Sequence, residues 1–271
     1  MAIDMKVNRF RESIKEGKPT LGTRIVCSWP GIVELVGQTG LFDYFEFVGE
    51  YGPWTLYDLE NLARAGELYN MSSMMKVDGV PRSYIAAKAL QSGIQNFLFS
   101  DIRTVEDAEE AVNSVKLEPQ GLMGVGNFRI GGYVFDGFSV ADYRKASEDA
   151  VVALMVEKKV TVDNIEEILS VKGIDMVQFG PWDYGLSLGL SGRPGSAWGL
   201  NDPKVKEAEL KTIKTALKLG IRPRVEINDV NAVEKYVELG VKDFNLGTDI
   251  RILYNFWKEK GSSLKSMLSK I

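Results

Sequence analysis

AVVALMVEKKVTVDNIEEILSVKGIDMVQFGPWDYG, residues 150–185, is the stretch on which the architecture turns. Its first seven residues, 150–156, form a short apolar β-type run. VDNIEEILSVKG then keeps helical spacing and stops on Gly173, and a second short apolar run fills 175–179 before Gly180 and Pro181 end it. A strand, a helix and a strand in that order pair in parallel through a right-handed crossover.

The same alternation repeats outward in both directions. Strands are expected at 21–26, 43–48, 72–77, 95–99, 150–156, 175–179, 221–226 and 242–246. Helical patterns lie between them: IVELVGQTG after Pro30, TVEDAEEAVNSV from Thr104, KVKEAELKTIKTALKLG to Gly220, and DVNAVEKYVELG to Gly240. Asp or Thr at the start and Gly just past the end are the capping residues such helices require. About eight strand–helix units predict an α/β fold, a closed (β/α)8 TIM barrel occupying residues 1–271 as one domain. An open doubly wound sheet would usually carry a dinucleotide fingerprint, and GVGNF at 124–128 lacks its third glycine. One segment breaks the rhythm. Residues 118–143, EPQGLMGVGNFRIGGYVFDGFSVADY, form a Gly-rich insertion expected as a lid or binding loop at the catalytic end of the barrel, between the fourth and fifth strands.

Composition narrows the function. The 271 residues are 45% hydrophobic and 26% charged, which excludes a disordered or fibrous chain. A net charge of −4 gives no basic field for nucleic acid or an acidic membrane. There is no His, so imidazole-based nucleophile activation and imidazole zinc ligation are both excluded. Proton transfer near neutral pH falls to carboxylates, Lys, Tyr or metal-bound water. The single Cys27 forms no intramolecular disulfide, and the chain shows neither a signal-type h-region nor a long apolar run. A soluble, cytoplasmic protein is expected.

Acidic side chains just past strand ends matter most, because barrel active sites are built there. Glu157 follows VVALMV and Asp183 follows DMVQFGPW, on consecutive strands. Two carboxylates without imidazole suit a hard divalent ion, Mg2+ or Mn2+, with waters or substrate oxygens completing the octahedron. Each acid also reads as a helix N-cap or a surface charge. Gly180 and Pro181 force a sharp turn, and the N–H groups of Trp182 and Asp183 that follow can attract a carboxylate. A 2-oxo acid would place its keto oxygen on the ion and its carboxylate on those amides.

LGTRI, FDYFEFVGEYGPW, ALQSGIQNFLF, TVEDAEEAV, LMVE and GIDMVQFGPWDYGLSLG together resemble the HpcH/HpaI aldolase family, over roughly residues 8–255. The family comprises metal-dependent class II pyruvate aldolases related to citrate lyase subunits. The resemblance implies a phosphoenolpyruvate/pyruvate-type (β/α)8 barrel, dimers assembled into hexamers with the last helix swapped, Glu157 and Asp183 as metal ligands, and the Trp182–Asp183 amides beside Gly180 as the pyruvate carboxylate site. The chain also departs from the pattern. The family's second strand ends in Asp followed by Glu-His-Gly, and its Asp and His form a catalytic dyad; here stand Val48, Glu50, Tyr51 and Gly52. The third-strand Arg that grips the keto oxygen is Lys76, a helix Asp is Gln91, and the Gln before the metal-binding Glu is Met155.

These departures set the expectations for the remaining site residues. Lys76 neutralises an enolate as a point charge, forms a Schiff base, or snorkels from its strand end. Arg24, inside the first strand, supplies the missing guanidinium or faces the helices. Tyr51 moves a proton, stacks on substrate or packs beside Trp54, and Glu50 holds a water near the ion and acts as a base. Trp182 and Trp198 wall the pocket, or belong to the core or a subunit interface. The leading expectation is a divalent-metal carbon–carbon lyase acting on a 2-oxo acid through an enolate. Its rivals are a decarboxylase or condensing enzyme using the same enolate, a non-catalytic keto-acid-binding barrel, and a metal-free covalent Lys76 enzyme. A homo-oligomer is expected, with neither nucleic acid nor membrane as a partner.

Overall fold

The computed structural model describes residues 7–126, 129–134, 139–190 and 199–271. Strands β1 (Thr20–Ile25), β2 (Tyr44–Val48), β3 (Ser72–Val77), β4 (Asn96–Phe99), β5 (Val152–Val156), β6 (Met176–Phe179), β7 (Arg222–Ile227) and β8 (Asp243–Thr248) pair in sequence order and in parallel, and β8 closes on β1. Helix α1 (Arg9–Lys15) precedes the barrel, and α2 (Pro30–Gln38), α3 (Leu56–Leu68), α4 (Arg82–Ser92) and α5 (Val105–Asn113) follow β1 to β4 in turn. Then come α6 (Val140–Glu148) before β5, α7 (Lys159–Asp163) and α8 (Ile165–Leu169) after it, and α9 (Pro181–Ser187) and α10 (Pro203–Lys218) after β6. The chain ends with α11 (Val233–Glu238) after β7 and α12 (Asp249–Leu268) after β8. The (β/α)8 barrel is the fold expected from the sequence, and every expected strand is present within two residues of its bounds. Among the described residues, no helix is long and apolar enough to cross a membrane.

Local chemistry explains the helix limits. Thr104 and Asp107 cap α5 reciprocally, and Thr55 and Asp58 do the same for α3. Gly220 and Gly240 end their helices with positive φ, at +74° and +95°. The helix expected over VDNIEEILSVKG is instead two short pieces. Asn164 leaves helical geometry at φ −104° and ψ 22°, and its side-chain amide donates to the Val160 carbonyl.

Outward-facing Phe45, Phe47, Phe97, Phe99 and Leu154 are buried against the helices in one continuous core. Inside the barrel the strands divide. Tyr44, Met74, Leu98, Ala153, Met155 and Met176 form an apolar half, closed from below by Phe10 of α1, whose ring stacks on Tyr44 at 4.2 Å. The other half is polar, where barrels more often stack branched aliphatic layers. Arg224 donates from Nε to Gln178 Oε1 at 2.7 Å and from Nη1 to Tyr44 Oη at 3.2 Å, and its Nη2 pairs with Glu46. Glu46 in turn faces Arg24 Nε at 3.3 Å and accepts from Asn245 at 3.0 Å, and Arg24 Nη1 donates to Glu226 at 2.6 Å. Burial alone would push the Glu46 carboxyl up, but Arg224 and Arg24 outweigh it and hold it below the usual range. Two arginines and two glutamates thus cancel inside the barrel.

The Gly-rich insertion lies at the other end from the one expected. The chain has already crossed from the carboxyl ends of the strands to their amino ends through α5 when the insertion begins. Arg129 accordingly donates to the Ser92 carbonyl at 3.4 Å and pairs with Glu67, at the C-terminal ends of α4 and α3. In its described part the segment braces the outside of the barrel floor and is not a lid over the mouth; residues 127–128 and 135–138 lie outside the described residues.

Removing one member of a buried ion pair leaves the other charge uncompensated, at a cost of about 3–5 kcal/mol. Arg224→Met and Glu46→Gln are each expected to lower the unfolding free energy by about that much in urea titrations. The double variant is expected to lose clearly less than the sum, and full additivity would contradict the network.

Candidate active site

Phe10 blocks the floor, so the open end of the barrel is the end where the strands finish. There a cavity of about 440 Å³ is lined by residues of β1, β3, β5, β6, β7 and β8 and the turns that follow. Register builds its wall. Val156 of β5 pairs with Phe179 of β6, which brings the next residues, Glu157 and Gly180, side by side. A Cβ on Gly180 would stand 2.7 Å from Glu157 Cβ and 3.0 Å from Glu157 Oε2, so only glycine fits beside this carboxylate.

Glu157 is 2% exposed. Its Oε1 accepts from the Asp101 N–H at 2.7 Å, and Asp101 makes that bond from a left-handed backbone at φ +53°. Asp183 stands in the first turn of α9 and lines the same cavity. Burial pushes the Glu157 carboxyl up, and the nearby Asp183 charge pushes it the same way, against the pull of Lys76 and the Asp101 N–H. Lys158 reaches Asp183 Oδ1 and Asp101 Oδ1, each at 3.3 Å. The first intrahelical bond of α9 is donated by Tyr184 to the Gly180 carbonyl, so the N–H groups of Trp182 and Asp183 precede the helix's own ladder. Trp182 lines the cavity and is 43% exposed.

Lys76 rises from β3 into this cavity, buried, with Nζ 2.5 Å from Glu50 Oε2 and 3.4 Å from Tyr51 Oη. Burial would lower its pKa, but Glu157 and Glu50 more than reverse that and raise it. An ammonium held by two carboxylates favours the point-charge role for Lys76 over the Schiff base. Glu50 is the ion-pair partner of Lys76 and stands one contact back from the cavity. Tyr51 lies over the Lys76 ammonium, 4.9 Å from ring centre to Nζ, and lines the cavity. Burial pushes its phenol up, with Lys76 acting in the opposite sense. Arg24 faces the interior, as the guanidinium reading required, but shares its charge with Glu46 and Glu226. Trp198 lies outside the described residues.

Arg224, Gln178, Glu226 and Arg251 also line the cavity, and sequence reading passed over them. The β7 run RPRVE carried the signal: Arg222, Arg224 and Glu226 alternate, and alternate residues of a strand share a face. Among the described residues, no group of three or more Asp, Glu, Cys or His side chains is disposed around one point. A divalent ion here would therefore take two protein carboxylates and complete its shell with water or substrate oxygen.

With this geometry in view, comparison with known proteins assigns the class. The model of the HpcH/HpaI aldolase/citrate lyase family matches residues 49–255, and the chain belongs to that family. The hydroxypyruvate/pyruvate aldolase of Roseobacter denitrificans is 27% identical over 261 residues, spanning 96% of this chain and 98% of that protein. Among solved structures, citrate synthase SbnG superposes with a TM-score of 0.85 at 20% identity, covering 97% of this chain and 100% of its own. The citrate lyase beta subunit from M. tuberculosis, complexed with oxaloacetate and magnesium, has a TM-score of 0.56 at 12% identity, with coverage of 86% and 93%. These structural likenesses carry the fold.

Proposed function

We propose that this chain is a divalent-metal-dependent carbon–carbon lyase or aldolase that forms and uses the enolate of a 2-oxo acid. The observation that carries the reading is that Glu157 and Asp183 line one cavity. Two carboxylates on adjacent strands line one cavity, and the repulsion and burial that push the Glu157 carboxyl up are what a cation between them would relieve. An all-oxygen donor pair without imidazole suits Mg2+ or Mn2+, and magnesium accompanies oxaloacetate in the citrate lyase subunit. When bound, such an ion supplies Lewis-acid polarisation of the keto group.

The chain's own residues do the rest. The N–H groups of Trp182 and Asp183 orient the substrate carboxylate, and Gly180 keeps the space beside Glu157 open. Lys76, held protonated by Glu50 and Glu157, lowers the energy of negative charge developing on the enolate oxygen. In the condensing direction water at the open mouth carries off the proton from the carbon beside the keto group, the enolate carbon so formed attacks an acceptor carbonyl, a C–C bond forms, and the carbonyl electron pair moves to oxygen. Tyr51, kept a phenol by burial, donates the proton to that oxygen. Cleavage runs the same steps backward. Tyr51 and Lys76 thus replace the family's dyad and arginine, an altered catalytic set for the same enolate. The unbridged, exposed Cys27 fits a reducing, cytoplasmic setting.

The active form is a homo-oligomer. Helix α12 leaves Ile250, Leu253, Tyr254, Trp257, Leu264 and Leu268 exposed, an apolar load that water disfavours and a second chain would cover. The family resemblance implies dimers assembled into a hexamer. Sedimentation is expected to give a multiple of 30.1 kDa, and a single-chain mass at micromolar concentration would contradict this.

Methyl hydrogen exchange of pyruvate in D2O, followed by proton NMR, reads enolate formation without an acceptor. Exchange is expected with Mg2+ or Mn2+, to stop with EDTA, and to fall on the order of 100-fold or more in Glu157→Gln. Exchange that ignores both changes would overturn the reading.

A further inference from the structure

Lys158, the residue after Glu157, spans the ends of three neighbouring strands. It stands at the N-cap of α7 with an extended backbone, at φ −125° and ψ 148°. Nothing local calls for lysine there. An ammonium has no acceptor with which to cap a helix N-terminus, and the helix dipole disfavours its charge. The side chain instead reaches Asp101 in the turn after β4 and Asp183 of α9 after β6, with Nζ 3.3 Å from Oδ1 of each. It is 17% exposed, which shields the bridge from much of the solvent. Asp101 also meets Arg103 Nη2 at 2.9 Å, and Lys76 has its own acid in Glu50. Among the described residues, Lys158 is the cation that pairs with Asp183.

Resting on the metal-enolate reading above, we propose that Lys158 is a positioning residue that acts through Asp183: it weakens the hold of the protein on a divalent ion alone and strengthens the hold of the loaded site on an anionic 2-oxo acid. Two carboxylates just neutralise a dication. Lys158 adds a further positive charge on the Asp183 side, so the loaded site is left net positive. The repulsion between Lys158 and the ion is doubled by the ion's double charge. The ordering that one partly exposed ion pair gives Asp183 is small by comparison. Charge therefore outweighs placement, and lysine costs metal affinity. The 2-oxo acid returns the balance, because its carboxylate and enolate oxygen bring the negative charge that the loaded site lacks. Linkage makes the effect reciprocal, so the acid tightens the ion as much as the ion tightens the acid.

The test is a Mn2+ titration of the full chain, read by electron paramagnetic resonance of the free ion, without and with saturating oxalate. Oxalate offers carboxylate oxygens in place of the carboxylate and enolate oxygen of the 2-oxo acid. Lys158→Met keeps the aliphatic stem and removes the charge. Without oxalate it is expected to bind Mn2+ about tenfold more tightly than the wild-type protein, and to gain about tenfold less from oxalate. Lys158→Arg is expected to keep the wild-type values. Tighter binding is a result that damage to the fold, or to the placement of Asp183, would not produce. Equal or weaker Mn2+ binding in Lys158→Met, or an equal gain from oxalate, overturns the assignment and leaves the enolate reading standing. Binding seen in Lys158→Met alone is the expected result at its extreme. Glu157→Gln is run alongside. Binding undiminished in that variant, or no binding in either the wild-type protein or Lys158→Met, defeats the metal reading and the Lys158 assignment with it.

Discussion

The pairing of β5 with β6 is the constraint on which the site depends. Parallel register fixes Glu157 next to Gly180, and the missing side chain at Gly180 is what lets a carboxylate sit there at all. Asp101, from the neighbouring β4 turn, then spends a left-handed backbone conformation to aim its N–H at one oxygen of Glu157. The other oxygen lies on the Gly180 side. Three consecutive strand ends thus cooperate to hold one acid in a buried position where its charge is disfavoured, and the turn after β6 adds a second acid to the same cavity. An arrangement that pushes a carboxyl upward by burial and by a like charge is costly unless function uses it.

The barrel interior is organised around the same problem. A polar half of β6, β7, β8, β1 and β2 carries two arginines and two glutamates that neutralise one another, while Tyr44, Met74 and Leu98 make up the apolar half. Buried pairs of this kind contribute little net stability, but they hold their members in fixed places. Arg24 reaches the mouth already compensated, and Lys76 does so between Glu50 and Glu157. Positive potential is therefore available at the mouth without a free, strongly solvated cation there.

Much of this was legible in the amino-acid sequence. The apolar runs and the capping residues located the strands, because a barrel strand buried on both faces has a short, continuous apolar pattern. Glu157 and Asp183 were legible because position just past a strand end is a topological fact in this fold. The rest depended on facts that spacing does not carry. The described part of the insertion at 118–143 lies at the other end from the one expected, because α5 had already carried the chain back to the amino ends of the strands. The break at Asn164 turns on a single residue's dihedral angles within a helical pattern. The pairing of Glu50 with Lys76 is a tertiary contact that spacing does not show. Arg224 and Glu226 were visible as alternating charges on β7, yet nothing local distinguishes a barrel interior that cancels its charges from a strand that faces water.

Manganese binding tests the central claim most directly. Titration of the metal-free protein with Mn2+, followed by electron paramagnetic resonance of the free ion, reads occupancy independently of turnover. One site per chain is expected, weakened by at least about tenfold in both Glu157→Gln and Asp183→Asn. Undiminished binding in either variant would show that the two acids do not share an ion.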